Sequence, residues 1–293
     1  MASNFPRVSV IVPTYKSWNT LLQCIEALER QSYPSEFFEI IVVNNHPEDA
    51  PPAGLQKISL LAEAVPGSYA ARNKGLSKAT GDIIAFTDAD CIPDKYWLEE
   101  GVKAIVEKKA DRIAGHIRVT FPGEQLSAVE AYQKALSFNQ RRLADNGLSV
   151  TANFLCTRHA IDTVGLFNSD LLSGGDWDWN RRANRAGLNL FYSETAIVDH
   201  PARSTWADLL KKSRRVNSSN VKNTSLLISV PKILIHFAKG FVPPIKRGIE
   251  IFGNTDLTAE EKIKSWAVCY LLKIYGHTVR FLTFFGFIKP SRA

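Results

Sequence analysis

The chain has 293 residues, 45% of them apolar and 22% charged, which is enough material for a sizeable core and excludes a disordered or fibrous protein. Its formal charge of +7 is an average of two unlike parts: residues 201–293 hold 16 Lys/Arg against 5 Asp/Glu, and the first 200 hold 20 against 24. A mildly acidic body with a basic, aromatic tail points to a tail that meets an anionic surface, either a membrane or a nucleic acid.

Val8-Ser-Val-Ile-Val12 reads as a buried parallel strand stopped by Pro13-Thr14-Tyr15, and an amphipathic helix follows over about Asn19–Gln31. Glu39–Val43 is a second buried strand. A Pro-rich loop, Pro47–Gly54, leads to a strand at Lys57–Ala62, a helix at Tyr69–Ala79 and a strand at Asp82–Thr87. A helix at Lys95–Lys108, a strand at Asp111–Phe121, a helix near Gln125–Leu143 and a strand at Ser149–Thr157 come next. Ser173-Gly-Gly-Asp176 then opens a short helix ending at Gly187, and a strand at Leu190–Ile197 closes on His200. This alternation predicts an α/β fold with an open, mostly parallel sheet flanked by helices. The four cysteines, Cys24, Cys91, Cys156 and Cys269, show neither C-x-x-C nor zinc spacing, so buried, reduced thiols are expected. Met1 to Arg7 is short and polar, and no uncharged apolar run reaches eighteen residues. The reading is a cytoplasmic protein with neither a secretory leader nor a spanning helix.

Ligands of such sheets bind at the carboxyl ends of the strands, and three ends here carry polar residues: Thr14-Tyr15, Asn44-Asn45 and Asp88-Ala89-Asp90. Strand alternation would put both aspartates on one side, with small Ala89 leaving room between them. Two carboxylates suit Mg²⁺ or Mn²⁺ held together with substrate phosphates, although such a pair also occurs as a solvated turn. Asp176 follows Gly174 and Gly175 and precedes Trp177. As a helix N-cap it would be kept ionised by the dipole, and the glycines would admit a substrate; an aspartate here can equally be a plain cap. His200 is a structural histidine or a metal ligand. Arg72 and Lys74 are either a solvated helix face or contacts to a nucleotide's phosphates or base. No G-x-G-x-x-G, Walker loop or serine nucleophile elbow occurs.

In order and spacing, Val8–Tyr15, Gln31-Ser-Tyr-Pro34, Glu39–Val43, Ala71-Arg-Asn-Lys-Gly75, Gly81–Asp90, Gly174-Gly-Asp176 and His200 resemble the family 2 glycosyltransferases, inverting enzymes of the Rossmann-like GT-A fold. The resemblance covers about residues 6–205. It implies a nucleotide-diphosphate-sugar donor, a UDP-sugar above others, held by Pro13, Thr14, Tyr15, Asn45, Arg72, Lys74, Asp88, Ala89 and Asp90. It implies Mn²⁺ or Mg²⁺ on Asp88 and Asp90, completed by His200. Asp176 falls where the family places its catalytic base, with Gly174, Gly175 and Trp177 on the acceptor side. The implied acceptor is a hydroxyl of a glycan or lipid-linked sugar in cell-surface polysaccharide or glycolipid synthesis. Two positions depart from the family pattern: Asn44-Asn45 stands where an Asp pair is usual, and Gly175-Asp176 where Glu-Asp is frequent. Related folds offer two rivals, a sugar-phosphate nucleotidyltransferase and a non-catalytic scaffold. The first would want a Gly-rich basic loop after strand one, and the second would tolerate loss of the aspartates that this chain keeps.

This reading divides the chain into a catalytic domain at 1–205, with a donor half to about 120 and an acceptor half at 121–205, and a basic amphipathic helical tail at 206–293. In the tail Lys232, His236 and Lys239, and again Lys273, His277 and Arg280, sit at i, i+4, i+7 on otherwise apolar helices. Thr258 with Glu261 is a capping-box signature. These stripes favour residues 226–293 lying on an anionic membrane, at the inner face of the cell membrane, over packing on the catalytic domain. Nucleic acid is not expected, because the aromatics fall opposite the charges.

Overall fold

A computed structural model describes residues 5–52, 55, 58–222 and 230–290, with side chains omitted at 220–222. Residues 53–54 of the predicted loop, Lys57 of the predicted strand and residues 226–229 of the tail lie outside the described set. The contacts divide the chain into two compact units. One runs through Arg118 and adds Phe138–Asp170 and Gly175–Pro201; the other holds Val119–Ser137, Leu171–Gly174 and the chain from Ala202 onward.

The first unit begins with β1 (Val8–Thr14), buried along its whole length, and α1 (Trp18–Glu29), which buries Leu21, Cys24, Ile25 and Leu28 on one face. It continues with β2 (Phe38–Asn44), β3 (Ser59–Ala62), α2 (Ser68–Leu76), β4 (Ile83–Thr87), a short β5 (Ile92–Pro93), α3 (Trp97–Lys108) and β6 (Arg112–Thr120), whose last two residues belong to the second unit. The second unit's α4 (Ala128–Leu136) is followed in the first by α5 (Gln140–Ala144), β7 (Asn153–Thr157), α6 (Arg158–Val164), α7 (Gly175–Arg185) and β8 (Leu190–Pro201). The single helix predicted over Gln125–Leu143 is two, because Ser137 is extended and Phe138 takes a left-handed φ of +53°.

The eight strands lie in the order β3-β2-β1-β4-β7-β6-β8-β5. β1, β2, β3 and β4 pair in parallel, while β7 runs antiparallel to both β4 and β6, and β5 antiparallel to β8. The α/β class is as expected, but the parallel part is confined to the first four strands. Thr14 is in register with Asn44, and β4 lies on the other side of β1, so the carboxyl ends of three strands open at one edge where the strand order reverses.

One buried amide ties this edge to the rest of the sheet. Asn153, opposite Thr87, accepts the Trp97 indole N–H at 2.8 Å and donates to the carbonyls of His116 and Ala196 at 2.7 and 2.9 Å. Asn153→Ala removes three bonds and strands their partners in the core, so unfolding in denaturant should lose about 3 kcal/mol or more. A loss within about 0.5 kcal/mol would show that these bonds do not hold the edge.

In the second unit α4 is joined by α8 (Trp206–Lys222), α9 (Val230–Lys239), α10 (Ile245–Gly253) and α11 (Ala259–Phe284), around Val129, Leu209 and Val268. Thr258 and Glu261 form the expected capping box on α11, and Ser127 with Glu130 forms another on α4. Lys134 on α4 pairs with Glu261 at 3.1 Å. The two basic stripes of the tail meet through their histidines and Arg280. The rings of His236 and His277 stack at 4.1 Å, Arg280 donates to His236 Nε2 at 2.7 Å, and His277 Nδ1 donates to the His236 carbonyl at 2.5 Å. Burial, Arg280 and His277 push His236 down to about 4, so it is neutral and accepts that bond at physiological pH. Among the described residues no helix is long and apolar enough to cross a membrane.

Candidate active site

The predicted site residues outside the Gly174 turn all belong to the first unit. β4 ends at Thr87, one residue before the acidic pair, so Asp88, Ala89 and Asp90 occupy a turn and not an alternating strand. The turn sends the two carboxylates to different partners. Arg72, only 3% exposed on α2, bonds Asp88 Oδ1 at 2.5 Å, and Asp90 lies 3.8 Å from His200 Nε2. His200 is buried, packs on the Phe138 ring and contacts the Pro201 carbonyl through Nδ1 at 2.8 Å. A carbonyl accepts only from N–H, so Nδ1 carries a proton and Nε2 is the ring nitrogen that faces Asp90 and would reach a metal.

Asp176 is the second residue of α7, not its N-cap. Gly174 holds φ at +78°, where a side chain is strained, and turns the chain into the helix. A Cβ on Gly175 would lie 2.7 Å from the Tyr69 ring, so this position is closed to larger residues. Tyr69 reaches Asp176 Oδ1 at 3.5 Å, and the Trp177 N–H donates to the same oxygen at 3.0 Å. Burial raises Asp176 above the ordinary carboxylate range. Arg72 and the backbone N–H groups of the helix start pull it down, and Asp88 adds to the rise. The expected dipole stabilisation is therefore present but outweighed by desolvation. Burial and Asp176 push Tyr69 up to about 12, so it remains a hydrogen-bond donor. Trp177, 40% exposed, stands beside the carboxylate.

Thr14 closes β1 with its hydroxyl buried and without a partner, and Arg72 Nε is likewise unpaired. Both are polar atoms suited to a ligand at this edge. Pro13 and Ala89 are buried, while Tyr15 is exposed with its ring 5.5 Å from that of His46. Asn45 uses its amide on its own loop. It donates to the carbonyls of Glu63 and Val65 and accepts from the Gly67 N–H, which shapes the turn into α2 and leaves one lone pair on Oδ1. Lys74 parts company with Arg72. Two residues apart on a helix, the side chains point to different faces, and Lys74 lines a shallow pocket with Glu63, Asn73 and Ser77.

Asp90 and His200 offer a hard oxygen and an imidazole nitrogen, donors that suit Mg²⁺ or Mn²⁺, while the structure holds Asp88, the third predicted ligand, on Arg72. Cys91 also lies within reach of Asp90 and His200. Burial, together with Asp88 and Asp90, pushes its thiol well up, which leaves the protonated sulfur a poor ligand for a hard cation. Sequence reasoning missed Tyr69 and Phe138. Tyr69 was within reach, one helical turn before Arg72 and so on the same face of α2.

A parallel βαβ edge with an acidic turn, a buried guanidinium and a carboxylate at a helix start is the arrangement that the resemblance to the GT-A glycosyltransferases implies. Residues 9–162 match glycosyl transferase family 2, and the chain belongs to that family. Glycosyltransferase AglE of Haloferax volcanii is 33% identical over 231 residues, 76% of this chain and 75% of that protein. The Methanococcus voltae dolichyl N-acetyl-alpha-D-glucosaminyl phosphate 3-beta-D-2,3-diacetamido-2,3-dideoxy-beta-D-glucuronosyltransferase is 21% identical, with 70% of each chain covered. Among solved structures, the Pyrobaculum calidifontis mannosyltransferase PcManGT, in complex with GDP-Man and Mn²⁺, superposes with a TM-score of 0.64 over 96% of this chain and 88% of that one, at 18% identity.

A carboxylate whose pKa is raised on folding contributes stability at acid pH and loses it as pH rises from the ordinary carboxylate value through the raised one. At neutral pH, above the ordinary carboxylate value, the burial of Asp176 therefore costs stability. Asp176→Asn should raise the Tm there by about 2–4 °C for each kcal/mol released, with the gain vanishing near pH 4. A lower Tm at pH 7 would contradict the assigned burial. Gly175→Ala should displace Tyr69 or the start of α7 and cut turnover by about 10²-fold with donor affinity little changed; full turnover would show that the close approach is not needed.

Proposed function

We propose that the chain is an inverting glycosyltransferase that moves a sugar from a nucleotide-diphosphate-sugar, a UDP-sugar above others, to a hydroxyl of a lipid-linked or glycan acceptor. The observation that supports this reading is Arg72, which pairs with Asp88 and whose charge also acts on Asp176, so that a diphosphate held there would lie beside a desolvated base. Pro13, Thr14, Tyr15 and Asn45 would frame the nucleoside, with the buried Thr14 hydroxyl free to bond it. Arg72 and Ala89 would border the diphosphate, and Lys74 would act from the outer face of α2. Asp88, Asp90 and His200 would hold a divalent cation, Mn²⁺ or Mg²⁺. When bound, such a cation neutralises charge that builds on the departing diphosphate.

Asp176 takes the proton of the acceptor hydroxyl at the carboxylate oxygen not bonded by the Trp177 N–H, while Tyr69 and that N–H fix its orientation. Attack on the anomeric carbon from the side opposite the diphosphate inverts that centre. Burial makes Asp176 a stronger proton acceptor than an ordinary carboxylate, which helps it take a proton from an alcohol. Gly174 leaves open space on the acceptor side, Gly175 admits the Tyr69 ring beside the base, and exposed Trp177 offers an apolar face to a sugar ring. A lipid-linked acceptor is supported by the dolichyl-phosphate sugar named for the Methanococcus voltae relative. The basic tail would then keep the enzyme on the inner face of the membrane where such acceptors lie, with 1–205 carrying the chemistry and 206–293 the attachment.

Transfer and donor hydrolysis should be measured across UDP- and GDP-sugars with Mn²⁺, Mg²⁺ or a chelator. Activity should need the cation. Asp176→Asn should lose about 10²–10⁴-fold in transfer while keeping donor affinity, and Asp90→Ala should weaken cation-dependent donor binding. Normal transfer by Asp176→Asn would overturn the base assignment, and full activity in chelator would overturn the cation's role.

A further inference from the structure

α10 is amphipathic in the wrong sense for a helix surrounded by water. It buries Gly248 and Ile251 and turns Ile245, Ile249 and Phe252 outward, at i, i+4 and i+7, with exposures of 67%, 72% and 51%. α9 does the same. Ile233, His236, Phe237 and Gly240 form its inner side, where Phe237 and the His236–His277 stack meet α11, while Leu234 and Ile235 are exposed. Between the two helices Phe241 and Val242 are also exposed, although their carbonyls are pinned by Tyr270 and Lys273 of α11 at 2.5 and 2.6 Å. Seven large apolar side chains thus stand outward within about twenty residues of an arm whose backbone is held in place. Such a cluster is unusual on a soluble surface.

The charges around these side chains have one sign. Lys232, Lys239, Lys246 and Arg247 are exposed, and the arm's single acid, Glu250, is paired with Arg247 at 2.7 Å. A second copy of the same arm would set these cations against each other, whereas an anionic bilayer takes both the apolar side chains and the cations. We infer that the outward face of α9 and α10 is the part of the tail that enters the interface of an anionic bilayer. Ile245, Ile249 and Phe252 reach the acyl boundary and Lys232, Lys239, Lys246 and Arg247 stay at the headgroups. The inference rests on the proposed membrane attachment of residues 226–293 and relocates its active surface: the histidines and Arg280 of the two stripes are occupied in the seam between α9 and α11, so the lipid meets the opposite side of these helices. Because no described helix can span, the mode is one of lying in the surface.

Co-sedimentation with vesicles of equal parts phosphatidylcholine and phosphatidylglycerol tests it, using the full chain and the variants Ile249→Glu and Phe252→Glu. Each substitution removes one anchoring side chain at an exposed position, so partitioning should weaken by about tenfold or more while donor hydrolysis stays at the wild-type rate. Lys246→Glu should weaken binding to these vesicles and leave weak binding to pure phosphatidylcholine unchanged. Wild-type binding that survives both apolar substitutions would overturn the assigned face while leaving the tail's attachment standing. No wild-type binding would overturn both. A wild-type dimer that Ile249→Glu converts to a monomer, with vesicle binding unchanged, would assign the face to self-association and overturn the inference.

Discussion

Arg72 is buried at the carboxyl edge of the sheet, where it bonds one oxygen of Asp88 and pulls against the desolvation of Asp176. A guanidinium so placed cannot be released to water without leaving acidic groups of one sign facing each other. The opposition between burial and this cation therefore sets the state of Asp176. The neighbouring geometry follows from keeping that cation in place. The Tyr69 ring lies beside the guanidinium on the same face of α2, and Gly175 has no side chain because that ring occupies the space. Asn153 anchors β7 opposite the last residue of β4, which fixes where the acidic turn begins.

Much of this was legible in the chain. The buried strands β1, β2 and β4 are continuous β-branched and aliphatic runs, and their polar ends mark the edge where a ligand binds. The acidic pair, Arg72, Asp176 and His200 could be picked out because each interrupts an apolar pattern at a strand end or a helix start. What could not be read was the surroundings of each. A capping position predicts a lowered pKa for Asp176, but burial reverses the sign, and its neighbour Tyr69 stands more than a hundred residues away in the chain. A left-handed Phe138 leaves no mark in a helical pattern, so the break between α4 and α5 was hidden. Asn45 was expected as a donor contact, and no local pattern showed that its amide also braces the loop before α2.

The tail teaches the same lesson from the opposite direction. Periodicity finds the two basic stripes correctly but cannot say what they face. Their histidines and Arg280 meet, with a neutral His236 accepting from Arg280, while Lys232, Lys239 and the apolar sides of α9 and α10 stay outward. The charge excess of the last ninety residues is thus divided between a structural seam and an exposed rim.

The pH dependence of kcat/KM in the wild type and in Arg72→Gln tests the central claim, that Arg72 restrains a desolvated Asp176, most directly. The wild-type acid limb should fall above the ordinary carboxylate range. Loss of the guanidinium should move it further up in pH, because the remaining effects of burial and Asp88 both favour the protonated form. An acid limb that stays in place, or moves down, in Arg72→Gln would contradict the account.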